Sequence, residues 1–139
     1  MSDPSDIVSP AAKAPHGIVD VARSAGVSSR TLRHYDAIGL LPATAVGAGG
    51  LRRYDDRALV RLQRILLLRS AGLGLPEIGR RLHTEPDDAS ALAAHVVGLE
   101  RERDRLARQL AAVRTTVARI EHGERLTVAA ALDGFAPVT

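Results

Sequence analysis

Arg30, Arg33 and His34 lie within one short stretch, Val27 to Ile38, whose single acid is Asp36. At roughly 100° per residue these three side chains gather within about 100° of one helix face. Leu32 and Tyr35 fall on the other side, flanked by Thr31 and Ile38. Docking the apolar side would therefore turn two guanidinium groups and an imidazole outward. Arginine can fork onto guanine edges in a major groove, and arginine, serine and histidine all grip phosphate oxygens. A solvated polar face is the ordinary alternative, but a stripe with Asp36 only at its edge favours contact with a polyanion.

Other chemistry finds less support. His16, His34, His83, His95 and His122 include no pair at close ligand spacing, and cysteine is absent, so thiolate zinc sites, iron–sulfur clusters and disulfides are ruled out. The Gly47-Ala48-Gly49-Gly50 run lacks the Gly-Lys-Ser/Thr ending and the strand-then-helix setting of a phosphate cradle. No Ser-His-Asp set and no acid pair in an apolar setting can be argued. Neither catalysis nor a cofactor is expected. Tyr35, Tyr54 and Phe135 are the only aromatics, a poor supply for an aromatic-lined small-molecule cavity.

The net charge of +3 is unevenly spread. Gly17 to His83 carries eleven arginines against five acids, whereas Thr84 to Arg125 carries seven against eight. Codon bias explains arginine over lysine but not this segregation, which suits a nucleic-acid partner. No apolar run reaches membrane-spanning length, and Met1 to Pro15 lack the apolar core of a signal peptide. A soluble, cytoplasmic protein with no membrane partner is expected.

The elements that must position these residues follow from helical spacing and glycine breaks. Residues 1–16, with three prolines, read as a flexible leader. Ile18, Val21, Ala22 and Ala25 predict a short helix broken by Gly26. Ser28 or Ser29 caps a second helix that Gly39 stops near Ile38. Helix, glycine turn and helix make a helix-turn-helix pattern. Thr44 to Val46 and Leu51 to Tyr54 predict a hairpin wing around the glycine run, with Arg52 and Arg53 at its base, placed to straddle a backbone or enter a minor groove. Asp55 or Asp56 caps a third helix ending before Gly72, apolar through Leu59, Leu62, Ile65, Leu66 and Leu68. Arg57, Arg61 and Arg64 are spaced for one outer face, where they would add phosphate contacts. Pro76 opens a short fourth helix that turns Ile78 and Leu82 inward.

From Asp88 to about His122 one long helical pattern dominates. Leu92, Leu99, Leu106, Val113 and Ile120 recur every seven residues, and Val96, Arg103, Leu110 and Val117 recur between them. This is a two-seam heptad with one polar break at Arg103, on a helix roughly 50 Å long. Such a stripe needs a partner: the same helix of a second subunit, or, as the alternative, its own domain in a hairpin. The fold class is mainly all-α, a winged helix-turn-helix with a small hairpin wing followed by a coiled-coil helix. Its divisions are leader 1–16, DNA-binding domain 17–86, dimerisation helix 87–123 and tail 124–139.

Ile18 to Ala22, Gly26-Val27-Ser28, Arg30 to Asp36, Ile38 to Leu41 and Arg52-Arg53-Tyr54 resemble, in order and spacing, the signature of the MerR family of transcriptional regulators. The resemblance spans about Gly17 to Ile120. It implies a winged helix-turn-helix, an extra helix pair and an antiparallel coiled-coil homodimer. It also implies promoters with misplaced recognition elements, realigned for RNA polymerase. DNA contacts map to Ser29, Arg30, Thr31, Arg33, His34 and Tyr35, with Arg52 and Arg53 on the wing. His34 stands where a tyrosine is common, which alters a stacking or phosphate contact. The cysteines of metal and redox sensors are missing. Residues 126–137 look like the junction before the drug-binding domain of TipA-like regulators. The chain stops at Thr139, so it is a short form or a fragment; no effector is named, and constitutive behaviour is expected. Two other readings stay open: a conventional repressor or nucleoid-style architectural protein, and a coiled-coil module that grips another protein.

Overall fold

A computed structural model describes residues 13–137. The chain divides into two compact units, Met1–Ala91 and Leu92–Thr139. In the first, β1 (His16–Gly17) leads into α1 (Ile18–Ala25), α2 (Ser29–Ala37), β2 (Ala45–Val46), β3 (Arg52–Tyr54), α3 (Asp56–Ser70) and α4 (Leu75–Thr84). Gly26 ends α1 with φ 70°, in the left-handed region where a side chain is disfavoured, and its amide and that of Val27 return to the carbonyls of Arg23 and Ala22. Ser28 then caps α2, its hydroxyl accepting from the Thr31 amide at 3.0 Å. The Asp55 carboxylate does the same for α3, accepting from the Ala58 amide at 2.9 Å.

These caps aim the apolar faces of four helices at one core. Ile18, Val21 and Ala22 meet Leu32 and Tyr35, Leu62, Ile65 and Leu68, and Ile78 and Leu82. The wing is the antiparallel pair β2–β3, in register Ala45↔Arg53 and Val46↔Arg52. A third strand completes the sheet: β1 pairs with β3 as His16↔Tyr54 and Gly17↔Arg53. The leader therefore ends earlier than expected, because Ala14 is fully buried and His16 is hydrogen-bonded into the sheet; residues 1–12 of that leader lie outside the described residues.

Arg64 also departs from expectation. It is 1% exposed, and its guanidinium donates to the carbonyls of Arg81 and Glu85 and to the carboxylates of Glu85 and Asp88. It ties α3 to the end of α4 and to Asp88 beyond it, and is not available to phosphate. Arg61 is half-buried, its Nε donating to the Leu40 carbonyl at 2.7 Å. Arg57 remains exposed, as its spacing predicts.

The helix α5 (Asp88–Glu121) has 34 residues and an N-terminal turn that begins in the first unit. In the second unit the chain turns back, and the short helix α6 (Val128–Ala131) is followed by a close approach to α5. The Arg108 guanidinium pairs with Asp133, and Gln109 Nε2 donates to the Gly134 carbonyl at 3.0 Å. Gly134 has φ 85°, and a Cβ there would lie 2.9 Å from the Gln109 backbone nitrogen. The tail is thus a docked element. It covers the side of α5 that carries Arg108, Gln109 and Ala112, about a third of a turn from the seam.

Candidate nucleic-acid interface

The second helix presents the expected stripe. Arg30, Arg33 and His34 are exposed, Ser29 and Thr31 are half-buried, and Leu32 is buried beneath them. Thr31 is held at both ends of its first turn, its amide and its hydroxyl each bonded to the Ser28 hydroxyl at 3.0 Å. Tyr35 does not belong to this surface. Its side chain packs in the core at 1% exposure, and its hydroxyl accepts from Arg69 at 2.6 Å. The ring is one turn from Thr31 and Leu32 on the apolar side, so it seats α2 and makes no outward contact.

The wing arginines are positioned in two different ways. Arg52 Nε donates to Asp36 Oδ2 at 2.7 Å, so the one acid of the stripe is turned aside and Arg52 is charge-compensated. Arg53 Nε and one terminal nitrogen donate to the carbonyls of Ala14 and Pro15, both at 2.8 Å. Arg53 is half-buried, and these neutral acceptors fix its stem against the entering chain without offsetting its charge. Tyr54 lies in the core between helix and wing. Burial raises its phenol above the usual tyrosine range; the Asp36 charge adds to this, and Arg52 and Arg33 oppose it. An open cavity of about 770 Å³ borders the end of α2, between Ile38, Arg61, Pro76 and His83, with His34 at its margin and no phenylalanine, tyrosine or tryptophan in its wall.

Sequence reasoning found the stripe and both wing arginines but missed what holds them. The Asp36–Arg52 pair and the Ala14–Arg53 anchor join residues 16 and 39 positions apart. One signal was present: Arg52 and Tyr54 alternate along a strand and so share a face.

In the second unit, the apolar seam residues from Val96 to Ile120 are 48–65% exposed, and Leu92 is half-buried. Ala112, on the side covered by the tail, is the buried residue of this helix. Among the described residues no helix is long and apolar enough to cross a membrane.

A capped, basic second helix beside an arginine-bearing hairpin defines a winged helix-turn-helix module. The family described as MerR HTH family regulatory protein matches residues 17–85. The HTH-type transcriptional regulator SkgA of Caulobacter vibrioides is 41% identical over 121 residues, 86% of this chain and 48% of that protein. The HTH-type transcriptional activator TipA of Streptomyces coelicolor is 38% identical over 106 residues, 76% of this chain and 40% of that protein. The crystal structure of SkgA from Caulobacter crescentus superposes with a TM-score of 0.73 at 41% identity, covering 88% of each chain. The chain belongs to the MerR family of helix-turn-helix regulators. It spans about half the length of the SkgA protein it matches.

Proposed function

We propose that this chain is a sequence-specific DNA-binding transcriptional regulator that works in the cytoplasm as a homodimer on a promoter operator. The observation that carries this reading is the α2 face: Arg30, Arg33 and His34 exposed on a capped helix, with Asp36 drawn off to Arg52. Ser29, Arg30, Thr31, Arg33 and His34 form the contact helix, and Arg52 and Arg53 add phosphate contacts from the wing. Residues 17–86 serve as the DNA-binding domain and 87–123 as the dimerisation helix. The exposed heptad seam supports a second copy as its cover, because a stripe of Val, Leu and Ile left in water is unfavourable.

A two-fold dimer joined through long helices demands one half-site separation. DNA with a different separation must bend or untwist, at a cost of order 1–6 kcal/mol. That distortion is the route by which such a regulator would realign promoter elements for RNA polymerase. The names of its relatives, a transcriptional regulator and a transcriptional activator, agree with this reading. Selection of bound duplexes from a random pool tests it, with an inverted repeat as the expected product. Transcription from the selected promoter with its spacer shortened by single base pairs then tests the mechanism. Activation confined to the long spacer supports distortion; equal repression of every spacer identifies a roadblock repressor instead.

A further inference from the structure

We propose that Asp36, Arg52 and Tyr54 form an exchange between helix and wing. On DNA, Arg52 leaves Asp36 for a backbone phosphate and the Tyr54 hydroxyl takes its place on the carboxylate. The inference rests on the reading of α2 and the wing as a DNA-contacting surface.

The first observation is the position of the ion pair. The Arg52 and Asp36 side chains retain 30% and 27% of their surface, so the pair is open to a competing phosphate. Only Nε of Arg52 is hydrogen-bonded among the described residues, whereas Arg53 has two nitrogens tied to backbone. Arg52 is the wing arginine with donors to spare.

The second observation is the Tyr54 hydroxyl, which is buried with no hydrogen-bond partner among the described residues. Nearly all buried polar groups in proteins have one, so an orphan calls for a use. Arg52 and Tyr54 lie on the same face of β3, and Asp36 meets that face. The shift of the phenol places the Asp36 charge in its surroundings. Asp36 Oδ1 receives no hydrogen bond among the described residues. A carboxylate stripped of its arginine beside a phosphate would be a bare acid next to an anion. A phenol O–H on the face of β3 that Arg52 shares would supply the missing donor.

The test uses the full chain, a duplex obtained by selection, binding measured across a salt series, and melting of the free protein. Tyr54→Phe removes a hydroxyl with no partner among the described residues, so it should melt at or above the parent temperature. It should nevertheless bind DNA more weakly, by about tenfold for each copy on the duplex, the low end for a hydrogen bond to a charged group. In an Asp36→Ala background the same change should alter affinity less than about twofold, since the acceptor is gone. Arg52→Met should lower the slope of log K against log salt by about 1.8, about 0.9 for each of the two copies on the duplex. Three results overturn the exchange: a lower melting temperature for Tyr54→Phe, unchanged DNA affinity for that variant, or an unchanged slope for Arg52→Met. A parent protein that binds no duplex at all overturns the DNA reading itself, which separates the two failures.

Discussion

Replacing Leu99 and Leu106 together by aspartate should break the proposed dimer. Each leucine keeps 52% of its surface in the single chain, so about half its side chain remains to be covered. Full burial of a leucine is worth about 1.5–3 kcal/mol, which leaves about 1 kcal/mol for each and about 4 kcal/mol for the four in a dimer. That alone weakens association about a thousandfold, and an unpaired carboxylate in the seam adds a desolvation penalty on top. The core of the DNA-binding unit lies between Ile18 and Leu82, so that unit should stay folded. Sedimentation velocity over a dilution series reads the outcome, with Ala111→Asp as control. Ala111 is exposed on the same helix, about 130° from the seam. The double variant should sediment as a monomer and the control as a dimer. A double variant that stays dimeric at high dilution, or a control that dissociates equally, would refute the assignment of this face.

Arg33→Ala should weaken binding to the selected operator by about 1–3 kcal/mol and relax base preference, measured by competition between single-base variants. Arg64→Ala should destabilise the first unit by about 2–3 kcal/mol in urea, below the full loss for a broken buried pair because Glu85 is half exposed and rehydrates. Arg64→Met should recover only the packing part of this, since Glu85 and Asp88 still lose their cation. Gly134→Ala should release the tail: a positive φ disfavours a side chain by about 1–2 kcal/mol, and the added methyl meets the α5 backbone. The Arg108 guanidinium holds Asp133 below the ordinary carboxylate range. A depressed acid contributes above its unfolded value and loses that contribution as pH falls through the folded one. Amide resonances of Gly134 should therefore report undocking only in acid, below the usual carboxylate titration.

The parts of this fold that were legible in the sequence are those set by local periodicity. Gly26, Ser28 and Gly39 bracket α2, and Leu32 and Tyr35 settle which side of it turns inward. The seam was equally plain, because a seven-residue repeat needs no knowledge of tertiary contacts. What was lost depends on partners far along the chain. Arg64 shares the spacing of Arg57 and Arg61, yet Glu85 and Asp88 draw it into the interior. Strand β1 has two residues and no periodicity of its own; it exists because Tyr54 and Arg53 lie opposite. Tyr35 carried a contact role by resemblance, and the core took it because its ring fills the space under α2 while Arg69 satisfies its hydroxyl. The docking of the tail turns on Gly134, whose missing side chain allows the approach to α5.

Titration of the protein against two duplexes tests the central claim most directly. One duplex is the selected operator with both half-sites, and the other has a single half-site scrambled. Fluorescence anisotropy gives affinity, and sedimentation of the complex gives its stoichiometry. If the α2 face reads DNA as a two-fold pair, two chains will bind each intact operator. Scrambling one half-site will then lower affinity by at least an order of magnitude, since each mismatched base pair costs about 1–3 kcal/mol. One chain per duplex, or equal affinity for the intact and scrambled DNA, would contradict the account.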